Sequence, residues 1–355
     1  MDTSSSLSST PSTGKKIWRW TRRIILSILA LVVVLAIAGA IYELVGEHRD
    51  AKRFPQRGKT FQVGSVALNM DCTGSGGPTV IFDSGLGVPA NGWILVQPEV
   101  AKFTRVCSYD RAGYGWSGES SGPRTSDQVA KELKDLLTAS GEKGPYILVG
   151  HSFGGYNVRV FADMYPADVV GVVLVDASHE DQENYLPPSL KAFSDQNTKE
   201  LKKQEWLGPI MIRLGIMRMT AKPDVAGKLS KDQIGEIFYA QSQPKFVKAI
   251  AEEMLHFTQS AAQVRATHGL GDRPLIVLTA GKLLAEGPLP PGVTQKDLDD
   301  FHQVWMNDLQ VKESHLSTRG KQIVVSDSSH MIPMERPDTI VSAIHEVWSD
   351  LNTKP

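Results

Sequence analysis

Residues 146–165 read YILVGHSFGGYNVRVFADMY, and few folds accommodate that stretch. The apolar run Tyr146–Val149 has the length of a buried strand, and Phe153–Tyr165 has the pattern of a helix. Little chain is left between them, so the turn is sharp. Gly150 and Gly154, two residues before and two after Ser152, remove side-chain bulk where strand and helix meet. A G-x-S-x-G turn of this kind strains the backbone of its central residue and projects the hydroxyl from the strand's C-terminal end. The dipole of the following helix then favours negative charge there.

The same rhythm runs along the chain. Thr79–Asp83, Phe103–Tyr109, Val169–Val175, Leu275–Thr279 and Gln322–Ser326 are further short apolar runs. Thr125–Ser140 has helical spacing behind a capping Thr125 or Ser126, and Pro337–Leu351 closes as a helix with proline in its first turn. Phe61–Val63 and Ser65–Asp71 predict an opening hairpin around Gly64. The alternation predicts an α/β fold: a mostly parallel, doubly wound sheet with helices on both faces. One interval breaks it. Between Asp176 and Pro274 roughly a hundred residues pass without a strand pattern, too many for a plain loop. Ser189–Glu205, Trp206–Met219, Ser230–Gln241 and Lys245–Ala266 are helix-like and predict an inserted helical cap over the site.

The N-terminus follows other rules. Residues 1–14 are rich in Ser and Thr, and Lys15, Lys16, Arg19, Arg22 and Arg23 form a basic cluster. Ile24–Tyr42 then carries no charge and as a helix spans about 28 Å, near the hydrocarbon thickness of a bilayer. The basic flank predicts a single-pass membrane protein with a cytoplasmic N-terminus and an extracytoplasmic catalytic domain. A signal peptide cleaved near Ala38-Gly39-Ala40 is the competing reading and leaves the bulk of the chain on the same side. The expected organisation is a disordered basic N-terminus (1–23), a transmembrane helix (24–45), a charged linker (46–60), a core formed by 61–178 and 271–355, and the cap (179–270). A net charge of −1 offers no electrostatic case for nucleic acid. No Cys/His spacing suits a metal, and no cofactor is called for. Cys72 and Cys107 each fall near a predicted strand. A disulfide and two buried thiols both remain open.

Ser152 needs a base. His330, in QIVVSDSSHMIP, follows the last strand pattern and precedes the last helix. In a parallel sheet the loops at the strands' C-terminal ends share one edge, so Ser152 and His330 are expected to meet there. His179 is second choice, and His151 is expected to bond locally within the turn. The acid that orients the imidazole is Asp176, directly after VVGVVLV, or alternatively Glu286, with Asp327 third. The oxyanion hole needs two backbone N–H donors. Phe153 follows the nucleophile, and Leu86 lies in the glycine-flanked loop after TVIFD.

The segments DSGLG (83–87), SYDRAGYGWSG (108–118), GHSFGG (150–155), VVLVDAS (172–178) and SSHMIP (328–333), in that order, resemble the α/β-hydrolase family from about Gly58 onward. The resemblance implies a strand carrying Cys72 beside the one carrying Cys107, and a structural role for Asp110. Many members carry their acid as Asp after the penultimate strand, which this chain lacks. Some relatives carry it after the preceding strand, where Asp176 stands. Related epoxide hydrolases and haloalkane dehalogenases have Asp at the turn, whereas Ser152 implies acyl chemistry. The expectation is a serine hydrolase acting on a small-molecule or lipid-like ester. Amide, peptide, thioester, acyl-transfer and cofactor-free perhydrolase chemistry on the same triad are alternatives, as is a non-catalytic binding module.

Overall fold

The computed structural model describes residues 13–220, 229–283 and 289–352. Glu286 lies outside these residues. Eight strands form one sheet: β1 (Lys59–Val63), β2 (Val66–Thr73), β3 (Thr79–Asp83), β4 (Val106–Tyr109), β5 (Tyr146–His151), β6 (Val169–Val175), β7 (Leu275–Ala280) and β8 (Gly320–Val325), in the order β1-β2-β4-β3-β5-β6-β7-β8. The β1–β2 and β2–β4 pairs are antiparallel and every other pair is parallel.

Side-chain alternation divides each central strand between two cores. Ile81, Leu148, Val172, Leu174 and Val277 face one side. Val80, Phe82, Ile147, Val149, Val173, Val175, Ile276 and Leu278 face the other. Each face needs a helical layer. α1 (Thr13–Arg53) and α2 (Gln97–Val100) precede α3 (Ser126–Ser140) and α4 (Gly154–Met164). α3 and α4 cover the first face, through Leu133, Leu137 and Phe161 among others. Thr125 caps α3 by accepting from the Gln128 amide.

The interval after β6 is helical: α5 (Pro188–Arg213), α6 (Ile216–Thr220), α7 (Lys231–Gln241), α8 (Pro244–Leu255) and α9 (Phe257–Arg265). Two expectations need correction here. α5 does not end at Glu205; it runs through Pro209 and stops at the Leu214–Gly215 corner, where Gly215 has φ +69°. α9 belongs to the core layer, because Ala261 and Val264 pack with the first face, so the cap proper ends near Leu255. A helical run that the sequence pattern did not suggest follows β7: α10 (Gln295–Val304), a π-helical turn (Trp305–Leu309) and α11 (Gln310–Ser314). Finally α12 (Ile332–Glu335) and α13 (Pro337–Asn352) cover the second face, with Ile340, Ile344 and Val347 inward.

The N-terminal helix is longer than expected. α1 includes the basic residues from Thr13, read as disordered, and continues through Glu43–Arg53, read largely as linker. No proline occurs between Thr13 and Phe54, and Arg218 donates to both Glu43 and Asp50, which braces the helix beyond its apolar part. α1 is long and apolar enough to cross a membrane. Cys72 lies opposite Cys107 across β2–β4, and the two form a disulfide with Cα atoms 4.1 Å apart.

Candidate active site

The turn after β5 is as tight as its glycines imply. Ser152 has φ +52°. A Cβ on Gly150 would lie 2.6 Å from the Gly154 carbonyl oxygen, and one on Gly154 would lie 2.3 Å from that of Asp83. Neither position admits a side chain. The turn is tied to β6 from both sides: the Ser152 amide donates to Val175 O (3.2 Å), and the Ser178 amide donates to Ser152 O (3.0 Å). A non-glycine residue in this region costs on the order of 1–3 kcal/mol, held here by the surrounding hydrogen bonds.

β6 ends directly on Asp176, a buried residue with φ +41°. Its Oδ2 lies 2.6 Å from His330 Nδ1. Its Oδ1 accepts from the Ala280 amide and from Trp305 Nε1, both at 2.9 Å. Burial favours the protonated acid, but the bond to His330, that residue's charge, the Trp305 N–H and the Ala280 amide together outweigh it, so the carboxyl is held below its ordinary range. An ionised carboxylate only accepts. The proton between the two groups therefore sits on His330 Nδ1, and in the neutral ring Nε2 keeps its lone pair.

His330 is positioned by its own loop. Glu335 accepts from Ser328 Oγ (2.9 Å), Ser329 N (2.7 Å) and Ser329 Oγ (2.8 Å). His151 Nε2 lies 2.9 Å from the His330 carbonyl oxygen and must be the donor, since a carbonyl only accepts. Burial, reinforced by the charge of His330, lowers the His151 pKa to about 3. His151 is thus a neutral strut 4.8 Å, ring to ring, from His330.

Ser152, Asp176 and His330 line one cavity of about 330 Å³, together with Ala280, His302 and Trp305. Ser152 also opens onto a larger cavity of about 670 Å³ under the cap, shared with Leu86, Phe153, Lys199 and Phe257. Among the described residues, the Leu86 and Phe153 amides donate to no protein acceptor. The loop carrying Leu86 is held rigidly. Arg111, buried, donates to Ser84 O (2.6 Å), Gly85 O (3.1 Å), Asp83 Oδ1 (2.9 Å) and both carboxylate oxygens of Glu253 on α8. Tyr114 Oη donates to Glu253 (2.5 Å) and accepts from the Gly87 amide (3.0 Å).

The remaining candidates are engaged elsewhere. His179 Nδ1 accepts from the Asp181 amide, and its ring lines neither cavity. Asp327 is exposed and pairs with Arg336. Asp110 is buried and accepts from Ala90 N, Asn69 Nδ2 and Trp116 N, the pattern of a structural residue. Cys72, Cys107 and Glu142 cluster closely enough to suggest a metal, but the sulfurs are joined to each other and offer no thiolate. Sequence reasoning missed Trp305, Glu335 and the Arg111–Glu253 pair. Glu335 lies five residues past His330 and was within reach of local inspection. Trp305 and Glu253 lie far from any motif and carry no linear signal.

A model of the alpha/beta hydrolase family matches residues 80–343. The chain is 26% identical over 291 residues to YqjL, an uncharacterised protein of Bacillus subtilis, covering 82% of this chain and 91% of that one. Among solved structures, the epoxide hydrolase CorEH superposes with a TM-score of 0.62 at 16% identity, over 82% of this chain and 98% of its own. An esterase from Thermogutta terrifontis superposes with a TM-score of 0.56 at 22% identity, over 84% and 100%. These likenesses concern the fold.

Proposed function

The chain belongs to the α/β-hydrolase family, and from that premise we propose that it cleaves carboxylic esters through a covalent acyl-enzyme on Ser152. The observation that carries the reading is the buried, ionised Asp176 bound to His330 Nδ1 at 2.6 Å on the rim that also presents Ser152. His330 Nε2 takes the Ser152 proton as Oγ attacks the carbonyl carbon. The Leu86 and Phe153 amides bind the oxyanion, and Asp176 stabilises the imidazolium. His330 then returns the proton to the leaving alcohol as the C–O bond breaks. Water, deprotonated by the same nitrogen, attacks the acyl-enzyme and releases the acid. His151, 4.8 Å ring to ring from His330 and neutral, puts no second cation beside the imidazolium. The epoxide hydrolase likeness does not favour epoxide opening here, because a serine hydroxyl cannot form the alkyl ester of a carboxylate.

We read α1 as a membrane anchor with the basic cluster on the cytoplasmic side. The Cys72–Cys107 disulfide supports an oxidising compartment for the domain.

A fluorophosphonate probe tests the chemistry on the full chain in detergent. Peptide mapping is expected to place the adduct on Ser152, and labelling is expected to vanish in Ser152→Ala and fall at least about a hundredfold in rate in His330→Ala. An adduct elsewhere, or no adduct on a folded chain, ends the reading. Parallel p-nitrophenyl esters, anilides and thioesters then rank the acyl substrates.

A further inference from the structure

The cap and α1 meet where α1 is still apolar. Gly39 lies about 4.5 Å of helix inside the end of the uncharged run. Its bare backbone approaches the α5–α6 corner so closely that a Cβ there would fall 2.3 Å from the Leu214 carbonyl oxygen. Farther along α1, Arg218 of α6 donates to Glu43 (3.0 Å) and Asp50 (2.5 Å). Beyond these, Arg53 pairs with Asp232 of α7, the Phe54 ring lies 6.2 Å from that of Tyr239, and Arg57 pairs with Glu236. The cap is therefore fastened to the C-terminal third of α1 and the segment just after it, with its α5–α6 corner nearest the apolar run.

The surface next to that corner is apolar and uncovered. Trp206, Ile210, Met211 and Met219 are 62%, 48%, 45% and 61% exposed, and Leu207 is exposed as well. On α5 the positions 206, 207, 210 and 211 share one face, which ends at the corner on the exposed Arg213. Lys202 and Lys203, both exposed, sit one turn back toward the core. Lysine, then tryptophan, then aliphatic residues along one axis is the order of a segment that enters a membrane interface. Water does not favour a contiguous patch of this kind, and it adjoins a helix read as spanning a bilayer.

We propose that the α5–α6 corner is seated in the bilayer that α1 crosses, with Trp206, Leu207, Ile210 and Met211 among the acyl chains, and that α5 leads a membrane-borne ester to Ser152. The second clause rests on the esterase reading; the first does not. The same helix lines the larger cavity through Lys191, Ser194, Thr198, Lys199 and Lys202. From Lys202 to Trp206 is about 6 Å of helix, so a lipid reaches the cavity without crossing open water. The α5 residues lining the cavity are polar, and those from α8 and α9 include Met254, Leu255 and Phe257. An amphiphile with a polar headgroup and an acyl ester matches this mixed lining, the headgroup against the α5 side chains and the chain against the apolar ones.

Full chain reconstituted in phosphatidylcholine vesicles, with benzoylphenylalanine replacing Ile210, tests the seating. Lipid adducts on irradiation, of yield comparable to a control replacing Ile37 within the apolar run, are expected. Adducts at position 37 without adducts at 210, or a crosslinked second copy of the chain at 210, overturn the proposal. Delivery is tested with W206S/L207S/I210S/M211S and, in case that variant folds poorly, with Ile210→Ser alone. Hydrolysis of a long-chain ester embedded in the vesicles is expected to fall at least about tenfold in the quadruple variant and about threefold in the single one. Hydrolysis of a water-soluble short-chain ester stays within twofold. Equal rates on the embedded ester overturn delivery. Wild-type protein that cleaves neither ester defeats the esterase reading and the delivery clause, and leaves the crosslink to judge the seating.

Discussion

Asp176 is oriented by two groups besides the imidazole, and one of them is an indole. Trp305 Nε1 and the Ala280 amide both donate to Oδ1, leaving Oδ2 to His330. A hydrogen bond to a buried carboxylate is worth about 1.5–3 kcal/mol. Trp305→Phe is therefore expected to lower kcat on a short ester by roughly ten- to a hundredfold while KM stays within threefold and Tm within a few degrees. An unchanged kcat means that the Ala280 amide alone suffices. His151 makes a second residue-scale prediction. Unfolded, it takes a proton near pH 6.5; folded, only near pH 3. Between those values the unfolded state binds one more proton. The contribution of neutral His151 is thus complete above about pH 6.5 and declines as pH falls toward 3, by up to about 1.4 kcal/mol per unit. Urea unfolding at pH 7 and pH 4.5 reads this slope, and His151→Gln is expected to flatten it. A slope that the substitution leaves unaltered removes His151 as its source.

At the scale of elements, the site depends on loops anchored from opposite directions. The loop after β3 is held by Arg111 from the turn after β4, which is itself paired with Glu253 of the cap, and by Gln241 of the cap, which donates to Gly87 O at 3.0 Å. The cap and the loop after β3 are one hydrogen-bonded unit. Arg111→Met leaves Asp83 and Glu253 buried without their cation, which costs about 3–5 kcal/mol. Calorimetry is expected to show a Tm roughly 10 °C lower. A shift of only a degree or two means that the two carboxyls accommodate the loss by protonation. The helical run after β7 illustrates a different point. Its π-helical turn adds a residue to the usual helical repeat and carries Trp305 against Asp176, a placement in keeping with the occurrence of such turns at functional sites.

For the whole molecule, the hydrolase-fold domain and α1 form a connected body rather than a tethered pair. α1 continues as helix to Arg53, and only a few residues separate it from β1. Ion pairs Arg218–Glu43 and Arg57–Glu236 hold the cap beside it. If α1 spans a bilayer, alkaline carbonate is expected to leave the full chain in the membrane fraction, and detergent to release it. Release by carbonate alone rules the span out. On the orientation proposed here, added protease cleaves the domain only from the extracytoplasmic side.

The local order of this chain is written in its residues. Short continuous apolar runs mark β3, β5 and β6, because a strand buried on both faces has little room for polar side chains. The elbow was legible because Gly150 and Gly154 stand where no Cβ fits. The rim position of His330 followed from strand direction alone. What sequence left open were questions of partnership. Asp176, Glu286 and Asp327 were each admissible as the acid, and linear spacing cannot tell which carboxylate a twisted sheet will carry to within 2.6 Å of an imidazole 154 positions away. Trp305, Glu253 and the corner at Leu214 were invisible for the same reason. Each acquires its role from a neighbour remote in the chain, and such neighbours are chosen by the packing of whole layers, not by the pattern of any one segment.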